Sequence, residues 1–186
     1  MMKRSRLFLA GAVWILGAGN LHADLVSVDV YGGHTTSGGG TPYSGLVGSF
    51  TANDVLFATS TGYAWHPFGL GAFGADITGI LAVAGDGTYA FTLNSDDGSL
   101  LFIDGSLVVD NGGPHGPVVV SGSALLTAGN HPFEVQFFED FGGPSGVDLD
   151  LPSGVTYTVV PVPGAALLAV LGLATAGALR RRRAVA

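Results

Sequence analysis

The sequence predicts an all-β fold, a β-sandwich, with an apolar helix at each end of the chain. Three observations carry this. Between Asp24 and Tyr157 no stretch repeats its apolar residues at helical spacing. Short runs rich in Val, Thr, Phe and Tyr recur instead, some alternating apolar with polar. Glycine is abundant, 31 of 186 residues, and falls in turn dipeptides between those runs.

The first strand is predicted at Leu25–Tyr31, which alternates cleanly. Gly32–Gly45 holds six glycines among Ser and Thr and predicts a mobile loop. Further strands are predicted at Val55–Ala58, Ala75–Val83, Thr88–Leu93, Leu100–Ile103, Leu107–Val109 and Val118–Val120, then at Phe133–Phe138, Val147–Leu151 and Val155–Val160. Turn signals lie at Asp86-Gly87, Asp97-Gly98, Asp104-Gly105, Asn111-Gly112, Gly129-Asn130 and Gly142-Gly143. Of these, Asp104-Gly105 reads as a two-residue hairpin turn. Many short strands at this spacing suit a sandwich or barrel. A domain of this size buries about two thirds of its unfolded surface, enough for a core of its own. With no cysteine, neither disulfides nor thiolate chemistry is available.

Charge is segregated along the chain. All seven basic residues are terminal: Lys3, Arg4 and Arg6, then Arg180, Arg181, Arg182 and Arg183. All fourteen acidic residues lie between Asp24 and Asp150, so that stretch carries a formal charge of −14 with no Lys or Arg. Such a region repels itself, and cations relieve the repulsion. It has nothing to neutralise phosphate, which excludes nucleic acid as a partner.

The two ends read as addresses. A basic start, an apolar run from Leu7 to about Ala18 and a small residue at Ala23 form a secretory signal peptide over residues 1–23, cut after Ala23. At the other end, residues 159–186 hold Pro161-Val162-Pro163, an apolar run from Gly164 to Leu179, and Arg180–Arg183. The run is near the lower limit for a spanning helix. The arginines stay on the cytoplasmic side, which leaves the acidic domain outside. This tail resembles the PEP-CTERM sorting signal of Gram-negative bacteria, with Val162 where that family usually has Glu. The resemblance implies processing by an exosortase-type enzyme, transient anchoring in the inner membrane, and delivery to the cell surface, outer membrane or extracellular matrix. A plain membrane helix is the alternative. Between the addresses lie a strand and Gly-rich loop (24–45) and the main domain (46–158).

One series of motifs in that domain goes beyond fold class. Tyr89-Ala90-Phe91 precedes Ser95-Asp96-Asp97-Gly98. A strand ending in Asp104-Gly105 follows, and then Leu126-Thr127-Ala128-Gly129 before the aromatic strand Phe133–Phe138. This order resembles the protective-antigen-type (PA-fourteen) domain of yeast flocculins and bacterial glycosidases. The resemblance implies a β-sandwich that binds carbohydrate with the help of Ca²⁺. It also implies a cis peptide between Asp96 and Asp97, as in the adhesin members.

Adjacent side chains on a strand point to opposite faces, so Asp96 and Asp97 converge on one ion only where the backbone leaves strand geometry. Ca²⁺ accepts six to eight oxygen ligands at about 2.4 Å. Two readings stand: a cation site at Asp96 and Asp97, or a plain hairpin turn at Asp97-Gly98. The lectin members supply an Asn from a second loop. The matching loop here, Glu139–Gly146, has none, and Asp140 is the candidate substitute. Phe141, beside it, is the candidate to stack on a sugar ring; Phe138 and Phe141 otherwise read as core or rim.

Enzymatic readings find little support. His34, His66, His115 and His131 show no metal-ligand spacing, and His115 in Gly-Gly-Pro-His-Gly-Pro reads as a loop residue. No Gly-x-Ser-x-Gly elbow occurs. Glycoside hydrolysis needs carboxylates about 5–9 Å apart across a cleft, which adjacent aspartates do not obviously provide. The expectation is an exported, non-catalytic, calcium-assisted module for extracellular glycan or polysaccharide. A purely structural matrix protein, and less so an accessory glycan hydrolase, are the alternatives.

Overall fold

A computed structural model describes residues 25–33, 44–57 and 65–159. The predicted signal segment and the sorting residues Pro161, Val162, Pro163 and Arg180–Arg183 lie outside them. Within the described residues no helix is long and apolar enough to cross a membrane.

The described chain is all β. Eleven strands follow in order: β1 (Val26–Gly33), β2 (Ser44–Ala52), β3 (Leu56–Phe57), β4 (Phe73–Val83), β5 (Gly87–Asp96), β6 (Ser99–Ile103), β7 (Ser106–Asn111), β8 (Val118–Leu126), β9 (Gly129–Glu139), β10 (Gly146–Asp150) and β11 (Val155–Thr158). They form two antiparallel sheets. The larger runs β2-β1-β4-β9-β6-β7, with β11 also on β4; the smaller runs β3-β10-β5-β8. Strand β4 is long enough to serve two neighbours along one edge. Strand β1 pairs with Gly74–Gly79 and β11 with Ile80–Val83, while β9 takes the whole opposite edge.

Alternation places one face of each strand in a shared core. Val26, Val28 and Val30 of β1, Ile77 and Leu81 of β4, and Val135 and Phe137 of β9 are buried against Phe91 and Leu93 of β5 and Leu149 of β10. One edge of the sandwich closes very tightly. A Cβ added to Gly122 on β8 would sit 1.8 Å from the Val108 carbonyl oxygen on β7, so only glycine allows this approach.

Three outcomes differ from the sequence reading. Strand β2 covers the last two residues of the expected loop and runs on to Ala52, through a stretch where no strand is predicted. It is an exposed edge strand whose Gly45, Gly48 and Ser49 dilute the apolar alternation, yet β1 offers it a full ladder from Val26↔Ala52 to Gly33↔Ser44. Strand β8 runs on past Val120 to Leu126. Ser121, Gly122 and Ser123 are weak strand formers, but β5 pairs with them throughout. Finally, β5 and β6 belong to different sheets, so Asp97-Gly98 is a crossover and not a hairpin turn.

The Asp104-Gly105 turn is as expected. Ile103 pairs with Ser106, and both turn residues have positive φ, 51° and 74°, as a tight hairpin with strand twist requires.

Candidate functional site

The site lies where the chain leaves β5 in the small sheet to enter β6 in the large one. The Asp96–Asp97 peptide in this crossover is cis. Asp97 is buried, 5% exposed. Its Oδ1 accepts the His115 backbone N–H at 2.8 Å, and its Oδ2 accepts the Asp140 backbone N–H at 3.0 Å. One carboxylate therefore pins two loops, the one after β7 and the one after β9.

The crossover rests on a buried polar cluster. Ser95 and Ser99 hydroxyls lie 2.7 Å apart, and the Asn111 amide donates to Ser95 Oγ and to the Val118 carbonyl. This ties β5, β6, β7 and β8 together behind the two aspartates. Gly98 completes the fit, because a Cβ there would meet the Phe138 ring at 2.5 Å and the Gly113 carbonyl at 2.7 Å. Both ring nitrogens of His115 lie near carbonyl oxygens, Nδ1 at 2.7 Å from Gly116 and Nε2 at 3.0 Å from Asn111.

Glu139, the last residue of β9, shares the inward face of Val135 and Phe137 and is 2% exposed. Its Oε1 accepts the backbone N–H groups of Phe141, Gly142 and Gly143 at 3.3, 2.9 and 3.2 Å. Gly142 adopts φ 67°, which curls the loop around the carboxylate. Its other oxygen, Oε2, is buried without a protein partner. Burial chiefly raises the Glu139 pKa, and the charge of Asp97 adds to this; the three loop N–H groups oppose it. Burial, followed by the charge of Asp97, also raises the pKa of Asp96, against a lowering influence from His115.

These groups border an open cleft of about 420 Å³, walled by Asp96, Asp97, His115, Glu139, Phe141 and the glycines of the β9–β10 loop. Carboxylate oxygens make it an acceptor-rich cleft suited to a cation or to hydroxyl donors. Among the described residues no three His, Asp or Glu side chains close into a metal-holding cluster.

The sequence-predicted residues divide accordingly. Asp96 and Asp97 both line the cleft. Asp140 contributes its main-chain N–H to Asp97, and its side chain is not part of the cleft wall. Phe141 stands at the mouth, 78% exposed, whereas Phe138 is buried. Two residues were missed. Glu139 was legible in principle, since β9 alternation points it inward just before a Gly-Gly loop. His115 was read as a loop residue, and that loop forms one wall of the cleft; no sequence signal marked it.

An antiparallel sandwich with a carboxylate-lined cleft between crossover loops defines the class of the domain. The chain belongs to the PA14 domain family, whose model matches residues 29–160. The fold is similar to the PA14 sugar-binding domain from an RTX adhesin, with TM-score 0.55 and 19% identity over 74% of this chain and 95% of that one. It is similar also to the PA14 domain of the MpAFP antifreeze protein, with TM-score 0.55 and 19% identity over 74% and 86%. A β-glucosidase from Kluyveromyces marxianus matches with TM-score 0.53 and 15% identity over 72% of this chain, which spans only 17% of that enzyme. The chain likewise spans 45% of an anti-sigma factor domain-containing protein from Clostridium clariflavum. No curated protein matches the chain.

Proposed function

We propose that this protein is an exported, surface or matrix module that binds extracellular glycan without catalysis, assisted by Ca²⁺ at Asp96 and Asp97. One observation carries the reading. Two adjacent carboxylates border a single cleft with Glu139, whose Oε2 is buried without a protein partner, and no Lys or Arg occurs among the described residues to neutralise them. A divalent cation fits that donor set. Its remaining ligands would be main-chain carbonyls and water, which Ca²⁺ accepts readily. When bound, the ion supplies positive charge that orients sugar hydroxyls. Asp97 holds the two loops that frame it, and Phe141 offers an apolar face to a ring.

The similarity to a sugar-binding adhesin domain over nearly its whole length supports the glycan reading. The β-glucosidase likeness is confined to a small part of that enzyme, which supports a binding role over hydrolysis. Export and surface sorting rest on the signal-like residues 1–23 and the PEP-CTERM-like residues 159–186.

The test is thermal unfolding of the full chain in Ca²⁺ and in EDTA, paired with glycan retention. Ca²⁺ raises the Tm and retention, and Asp97→Ala removes both gains. Identical curves and retention in Ca²⁺ and EDTA would overturn the calcium-assisted reading, and no glycan retained with Ca²⁺ present would favour a purely structural matrix protein.

A further inference from the structure

A second cleft, about 210 Å³, opens on the outer face of the small sheet next to the first. Strand alternation explains its lining. Leu93 of β5 and Leu149 of β10 pair across the sheet and are both buried. The next pair, Asn94 and Asp148, therefore faces outward. Leu56 of β3 pairs with Asp148 on its other side and is 58% exposed. The row thus reads apolar, carboxylate, amide across three strands. Two residues beyond Asn94, on the same face of β5, stands Asp96, and it lines both clefts. Opposite Asp96 lies Gly146, which has no side chain to block the passage.

From this continuity we infer that the ligand is an oligosaccharide of neutral or amino sugars that sits in the first cleft and runs past Asp96 onto Asn94 and Asp148. The inference rests on the sugar-binding reading of the first cleft. Asn94 provides both donor and acceptor, and the two aspartates accept from hydroxyl or ammonium groups. Leu56, 58% exposed, gives the apolar contact that a sugar ring's C–H face packs on, while its neighbour Phe57 and the paired Val147 turn to the core. Glycans bearing carboxylate or sulfate meet only negative protein charge here and are disfavoured.

The experiment uses the full chain and a glycan array of mono- to hexasaccharides in neutral, amino and uronic series, with and without Ca²⁺. Calorimetry follows on the best-retained series. A trisaccharide should bind about tenfold tighter than its monosaccharide, as a few added contacts provide. Asn94→Ala and Leu56→Ser, both at exposed positions, should bring that ratio close to one and leave monosaccharide affinity unchanged. Affinity independent of chain length, or preferential retention of uronic glycans, overturns the second subsite while sugar binding by the first cleft stands. A blank array in both conditions overturns the first-cleft reading, and this inference with it.

Discussion

The buried carboxylate of Asp97 accepts the backbone N–H of Asp140 at 3.0 Å, 43 residues away in sequence. With the His115 N–H on its other oxygen, it fastens two loops to the β5–β6 crossover. Asp97→Ala strands both donors. Hydrogen bonds to a charged group contribute about 1.5–3 kcal/mol each, so losing both should cost roughly 3–6 kcal/mol in urea unfolding. Asp97→Asn should do little better, because its amide NH₂ must face one of the two N–H donors. A loss under about 0.5 kcal/mol, typical of an ordinary surface site, would show that the loops are held by other contacts.

Gly122 and Gly98 are predicted to be the least replaceable glycines among those described. A methyl on Gly122 meets the Val108 carbonyl at 1.8 Å, and one on Gly98 meets the Phe138 ring at 2.5 Å and the Gly113 carbonyl at 2.7 Å. Backbone cannot step aside as a flexible side chain can. Gly122→Ala should cost about 3 kcal/mol or more, beyond ordinary overpacking. Gly85→Ala is the control: nothing lies within 4 Å of its added Cβ and its φ lies outside the left-handed region, so the change should stay within about 0.5 kcal/mol. Equal Tm losses for Gly122→Ala and Gly85→Ala would contradict the close approach of β7 and β8.

Much of this fold was legible because its strands repeat every second residue. Val26, Val28 and Val30 advertise a buried face, and Asp104-Gly105 a hairpin. Strand β2 was hidden because its Gly- and Ser-rich edge draws its order from β1, a neighbour that local sequence does not reveal. The same limit applies to the site. Asp96 and Asp97 stood out as a pair, but the sheet change that excludes a hairpin is a property of long-range pairing. Glu139 lay one residue from the candidate Asp140, and strand parity would have chosen between them.

The hairpin at Asp104 carries a pH-dependent contact. His131 Nδ1 lies 2.6 Å from Asp104 Oδ2. This hydrogen bond is the main cause of a raised His131 pKa, opposed by burial. A His whose folded pKa exceeds its unfolded value stabilises the fold fully below the unfolded pKa, and that contribution is lost as pH rises through the folded pKa. His131→Gln should therefore lower the Tm at pH 5 more than at pH 9. A Tm difference that does not change between those pH values would mean that the contact carries no charge.

The outer face of the large sheet holds the strongest pH dependence expected of this fold. Asp76 on β4 stands directly beside Asp29 on β1 and diagonally from Glu134 on β9, with Tyr31 and Gln136 nearby. Asp29 is served by the Ser49 hydroxyl and Glu134 by the Gln136 amide. Asp76 Oδ1 is buried without such a donor. Burial, then the charge and hydrogen bond of Glu134, raises the Asp76 pKa from 3.8 to about 7. A carboxyl with a raised folded pKa binds its proton more tightly in the fold than in the unfolded chain. Stability is thus fully present below about 4 and is lost as pH rises toward 7. Above that range the fold holds an ionised Asp76 against two like charges. Asp76→Asn removes that charge and should raise stability at pH 8, by on the order of 1 kcal/mol once solvent screening of this partly exposed group is allowed for. The gain should shrink as pH falls and vanish near pH 4. Urea titrations of both proteins at pH 4, 6 and 8 decide the matter: a stability difference that stays constant across that range would mean that Asp76 does not titrate within it.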